Sequence, residues 1–159
     1  PVDTQGRESV SRLPGVAVSD DAHAGEHSLE VHLPFIQVAL GEVAVLPMAV
    51  GRMPAEEVAD FLDAVWGGPE TLVVSSSDLS HYHDQATAVA LDRATADAIE
   101  ACRPGDVGLD RACGAFAVRG LMVAARRRGM EVRTIDLRTS ADTAGSPDRV
   151  VGYGSFAFT

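Results

Sequence analysis

Short apolar runs alternate along this chain with Ala-rich stretches of helical spacing, and that alternation limits its fold more than any other feature. Residues 43–50, 71–76, 131–137 and 149–158 read as strands, several of them rich in Val, Leu and Ile. Between them, 54–66, 85–101 and 112–128 read as helices. Strands interleaved with helices predict one α/β layered domain over residues 1–159. No repeat, low-complexity tract or linker divides it.

Helix ends are signalled by chemistry as well as by periodicity. Pro54 opens a helix, and Glu56 and Glu57 in its first turn complement the dipole. Arg126, Arg127 and Arg128 followed by Gly129 form a C-terminal signature, with cations on the negative end and a residue suited to the left-handed cap. This makes the triplet a solvated helix end, not a nucleic-acid patch. Leu29, Leu33, Ile36 and Leu40 fall at helical spacing and predict a core-facing stripe, interrupted at Pro34.

Charge narrows the range of partners. Acidic residues outnumber basic ones 23 to 13, giving a net charge of −10, and every basic residue is Arg. Phosphate backbones and anionic membranes both require a cationic surface, so neither is expected as a partner. No apolar run approaches the length of a membrane span, and the first residues lack the pattern of a signal peptide. Cys102 and Cys113 are too few for a disulfide framework, and a reducing cytoplasm is the simplest setting. The bias toward Arg, Ala and Val looks like a GC-rich bacterial genome.

Chemistry concentrates in two segments. Ser75-Ser76-Ser77-Asp78-Leu79-Ser80-His81-Tyr82 follows the apolar run 71–74 and therefore lies at a strand's C-terminal end, where open α/β sheets place ligands. There Asp78 can fix the tautomer of His81, leaving the ring to move protons or touch a metal. A Ser/Asp turn closed by local bonds, with an incidental His, accounts for the same residues. The serines lack a Gly-x-Ser-x-Gly elbow, which argues against serine hydrolysis. The second segment, Glu26 to Phe35, holds two His and two Glu in ten residues. Gly25 and the spacing argue against a self-contained metal site there; Glu26, His27 and Glu30 are expected to seat this element against the Asp78–His81 loop, with His32 structural. Tyr82 and His83 are expected near the pocket entrance, His83 alternatively as a merely exposed residue.

Cys113 is expected in the first turn of the 112–128 helix, where unpaired N–H groups stabilise a thiolate that can act as soft metal ligand or nucleophile. A small buried hydrophobe is the other reading of a free Cys. Cys102 reads as packing.

Taken together, the Glu26–Phe35 segment, Ser77-Asp78-Leu79-Ser80-His81-Tyr82, Asp110-Arg111-Ala112-Cys113-Gly114 and the closing Val150-Val151-Gly152-Tyr153-Gly154-Ser155-Phe156 resemble the Memo family. In bacteria this is protein B of the AmmeMemoRadiSam system. The resemblance runs along nearly the whole chain. It implies a layered α/β/α domain with a central mixed sheet, similar to the LigB-type class III extradiol dioxygenases. It also implies that this chain matches the C-terminal portion, the other half carrying two metal-binding His. Cys113 matches the third ligand, of iron or copper, and His81 a second-sphere acid/base. A metal-dependent oxidoreductase or dioxygenase-like activity follows from the resemblance. A non-enzymatic scaffold that binds a small molecule or peptide in the same pocket is the alternative. The expected partners are that missing half, or a complementary chain, and a radical-SAM system protein.

Overall fold

The computed structural model describes all 159 residues. Six helices are present: α1 (Thr4–Val10), α2 (Asp20–Ala24), α3 (Leu33–Leu40), α4 (Ala55–Val65), α5 (Gln85–Glu100) and α6 (Ala115–Arg128). The strands are β1 (His81–His83), β2 (Val132–Thr139) and β3 (Val150–Phe158). The chain is thus α/β, as the alternation predicts.

The sheet differs from the expected central mixed sheet. Its three strands run β1-β3-β2, and both pairings are antiparallel. Along β2 and β3, residues alternate between sheltered and exposed positions. Val150, Gly152 and Phe156 turn toward the helices, whereas Ile135 and Tyr153 stand exposed on the other side. Helices therefore cover one face rather than two, a pattern that antiparallel sheets permit.

The core lies between that covered face and the helices. Ile99 of α5 and Met122 of α6 meet Val107 and Ala112, with Phe156 and Phe158 of β3 packed against them. Met122 is fully buried, which contributes roughly 1.5–3 kcal/mol. A second cluster joins α6 to α4 through Ala59, Val123 and Ala124, flanked by Leu62 and Trp66. Its rim is ionic. Arg127 reaches Asp60 at 2.7 Å and Asp63 at 2.8 Å, while Arg128 pairs with Asp63 and stacks 4.3 Å over Trp66.

Terminal chemistry behaves as expected for α4 and α6. Pro54 precedes α4, with Glu56 and Glu57 in the first turn, and Gly129 closes α6 at φ 67°. The start of α5 carries a cap that periodicity does not reveal: the Asp84 side chain accepts from the Thr87 N–H.

Three expectations are corrected. Residues 71–76 join no sheet, and none of the amides of 72–76 donates to a backbone carbonyl. In 43–50 only Val45 pairs, through an isolated parallel bridge to Val2. The stripe Leu29, Leu33, Ile36 and Leu40 does not face a core, since α3 contains no buried residue. No helix is long and apolar enough to cross a membrane.

Candidate functional site

The Asp78–His81 loop is held from two sides. On one side lies β3: Leu79 N–H donates to the Gly152 carbonyl at 2.9 Å, and Gly152 N–H donates to the Ser80 carbonyl at 2.8 Å. On the other lies α5, whose Asp92 is 1% exposed and accepts from the Ser80 N–H through Oδ1 at 2.9 Å. Asp92 Oδ2 and Ser80 Oγ, both buried, have no partner. A side chain at 152 would overlap the Asp92 carboxylate, so the strand needs Gly where the helix approaches. With Leu79 and Ser80 buried and fixed, the flanking Asp78 and His81 are left facing outward.

Cys113 is attached to the same loop through backbone. Asp78 N–H donates to Cys113 Sγ at 3.1 Å, and Cys113 N–H donates to the Asp78 carbonyl at 3.2 Å. Ser77 Oγ donates to the Asp78 carbonyl at 2.7 Å, accepts from Gly114 N–H at 2.9 Å, and lies 3.8 Å from the thiol. A Cβ on Gly114 would strike the Ser76 carbonyl, so this close approach also requires Gly. Cys113 is exposed and lies just before Gly114, the N-cap of α6. This corrects the expected first-turn position. The amide that serves the sulfur comes from Asp78, not from the helix.

His81 Nε2 stands 3.5 Å from Asp78 Oδ2, with side chains 32% and 48% exposed. That geometry suits a carboxylate that orients an imidazole while leaving it accessible to a ligand. Tyr82, at φ 65°, sits where the β1–β3 register shifts. Its ring lies 5.7 Å from that of His81 and carries the Arg149 guanidinium 4.4 Å above it.

From the Glu26–Phe35 segment, the contact to the loop comes from a residue not expected to make it. His32 Nε2 is 3.0 Å from Ser76 Oγ. Glu26 instead accepts from Ser28 N–H at 2.8 Å, a bond that holds its carboxyl below the usual range, and His27 and Glu30 are exposed. Asp92 was also missed, although the sequence signals it. It falls on the buried stripe Ala88, Asp92, Thr95, Ala96 and Ile99, and a carboxylate on an apolar stripe marks a designated partner.

The donor set bears on a metal. No three His, Cys, Asp or Glu side chains of this chain converge to hold an ion. These residues alone therefore do not fit an iron or copper centre, and Cys113 stands as a single soft donor. Burial pushes the Cys102 thiol up, partly countered by the Arg126 guanidinium.

A family model described as Memo-like protein matches residues 1–157. The MEMO1 family protein of Methanothermobacter thermautotrophicus is 32% identical over 96% of this chain and 60% of its own length. Its counterpart in Thermotoga maritima is 34% identical over 83% of this chain and 50% of its own. That of Sulfolobus acidocaldarius is 29% identical over 90% and 55%. The chain thus spans between half and three-fifths of the length of these relatives.

Proposed function

The chain belongs to the Memo-like family, and from that membership we propose that it supplies Cys113, Asp78 and His81 to the pocket of a metal-dependent redox or dioxygenase-like protein. The observation that carries this reading is the coupling of Cys113 and His81 to one residue, Asp78. Its backbone N–H holds the thiol and its carboxylate lies beside the imidazole. A soft donor and a proton-transfer group are thereby fixed to the same loop.

In this reading, iron or copper takes Cys113 as one donor and its remaining donors from outside these 159 residues. When bound, the metal would supply redox chemistry. His81 holds or moves a proton at Nε2, and Asp78 orients its ring. Tyr82 and Arg149 form the rim. A reducing, cytoplasmic setting and a radical-SAM partner belong to the same reading, the former supported by two unpaired cysteines.

Competition titration with copper(I), for which thiolates are selective, tests the assignment. In the chain completed with the part that its longer relatives carry, Cys113→Ser should weaken copper affinity at least tenfold and Cys102→Ser should leave it unchanged. Equal affinities in the two variants count against it.

One observation favours a second reading, a binding module without turnover. Arg149 stacked on Tyr82 beside His81 offers a cation and a ring face to an anionic or aromatic ligand. Ligand affinity that survives chelation, without turnover, supports this alternative.

A further inference from the structure

We infer that Asp92 is a positioning residue: its carboxylate, carried by α5 under the Asp78–His81 loop, sets the aim of His81 at Asp78 and does so through the Ser80 N–H. That the aimed pair serves chemistry rests on the functional reading above; the aiming itself does not.

The first observation is where the bond falls. Bonds to Cys113 fix Asp78, and bonds to Gly152 fix the Leu79 N–H and the Ser80 carbonyl. Between them, the Ser80 N–H has Asp92 Oδ1 as its acceptor, 2.9 Å away. That peptide lies between the two side chains that pair, so turning it turns His81 relative to Asp78. His81 Nε2 stands 3.5 Å from Asp78 Oδ2, just beyond ordinary hydrogen-bond distance, where a small rotation makes or parts the pair. In catalysis a misplacement of about 1 Å can cost on the order of a hundredfold in rate.

The second observation is a carboxylate that packing does not explain. Asp92 is 1% exposed and shares a buried stripe with Ala88, Thr95, Ala96 and Ile99. The one cation of α5, Arg93, turns to Asp97 and Glu100 instead. Asp92 Oδ2 and Ser80 Oγ are buried without partners. A buried carboxylate with one idle oxygen is disfavoured, and an apolar residue would continue the stripe at no such cost. What the apolar residue would lack is the acceptor at Oδ1. β3 accommodates the same group: a Cβ at Gly152 would overlap Oδ2, so the strand carries no side chain there.

The ring nitrogen shifts of His81, recorded at about pH 9 where an ordinary imidazole is neutral, report how close it lies to Asp78. Their response to Asp78→Asn measures the pair. It is taken in this chain and in four backgrounds: Asp92→Ala, Asp92→Asn, Gly152→Ala and Ile99→Val. The response should at least halve in Asp92→Ala, which deletes the acceptor, and in Gly152→Ala, which displaces it. It should persist in Asp92→Asn, whose amide oxygen still accepts, and in Ile99→Val, which loosens the core two turns further along α5. An undiminished response in Asp92→Ala or Gly152→Ala overturns the inference. So does a halved response in Ile99→Val, which would mean general loosening, or in Asp92→Asn, which would mean that charge acts rather than the acceptor. No response in the parent leaves no pair to aim and overturns it too. Should Asp92→Ala not fold, the contrast between Gly152→Ala and Asp92→Asn decides. No metal enters these measurements, so a failed copper titration leaves the aiming standing.

Discussion

Cys113 Sγ accepts a hydrogen bond from the backbone N–H of Asp78, 35 residues earlier in the chain, at 3.1 Å. The reciprocal bond, from Cys113 N–H to the Asp78 carbonyl, makes the thiol part of the loop's anchorage. Cys113→Ala should leave the Asp78 amide without its acceptor and cost about 1 kcal/mol. The same variant should accelerate amide exchange at Asp78 roughly tenfold. Urea unfolding and site-resolved exchange read the two effects. A variant that changes neither would show that the sulfur does not hold the loop.

Asp92 secures the loop from beneath. Its Oδ1 accepts from the Ser80 N–H inside the protein, and removing it leaves a buried donor unsatisfied. Asp92→Ala is therefore expected to cost about 1–3 kcal/mol, with Asp92→Asn less harmful because an amide oxygen can still accept. Gly152→Ala should destabilise by a different route, since the added methyl overlaps the Asp92 carboxylate. Being neighbours, Gly152→Ala and Asp92→Ala should be less than additive. Full additivity in a double-mutant cycle would separate the two sites.

These residues show what was legible in the sequence and what was not. Helices were readable where local rules decide them: Pro54 and its two Glu, and the three Arg before Gly129. The Asp78–His81 pairing was readable because the two lie only three positions apart. Strands were readable at 131–137 and 149–158, which pair as β2 and β3, but not at 43–50 and 71–76, because pairing depends on which strands lie alongside. Residues 71–76 carry a strand's composition yet pair with no strand. The α3 stripe fails for the same reason: periodicity reports a face fit for burial, not what covers it. The role of Asp92, and the partner of the structural His32, escaped because Ser80 and Ser76 lie 12 and 44 residues away and are fixed only by the fold.

Acid sensitivity should centre on the junction of α4 and α6. The Arg128 guanidinium, then Arg127, holds the Asp63 carboxyl below its ordinary range. A carboxyl whose folded value lies below its unfolded one stabilises fully above the unfolded value, roughly pH 3.9, and loses that contribution as pH falls through the folded value. With a third of Asp63 exposed, solvent screening limits the effect to the order of 1 kcal/mol. Asp63→Asn should be less stable than the parent at pH 7 and nearly equal to it at pH 2. Asp84, Glu100 and Asp142 are lowered too, by Thr87, Thr134 and Thr139, so the parent's own acid slope should persist in the variant. A gap between the two proteins that is constant from pH 7 to 2 would remove Asp63 as its source.

Tyr82 sits at φ 65°, where the register of β1 against β3 shifts. A bulky residue in the left-handed region costs roughly 1–3 kcal/mol. Part is returned by Arg149 over the ring, an exposed stacking of about 0.5–1 kcal/mol. Tyr82→Gly loses the stacking and the strain together, so its stability should match or exceed the parent's. Tyr82→Val loses the stacking, keeps the unfavourable backbone and adds a β-branch, and should fall about 1–2 kcal/mol below the parent. Thermal unfolding ranks the three. Equal stability for Gly and Val would mean the backbone relaxes out of the bulge. The predicted order, Gly above Val, fits a bulge retained to set the direction of His81 beside Asp78, since bulges re-aim side chains next to sites.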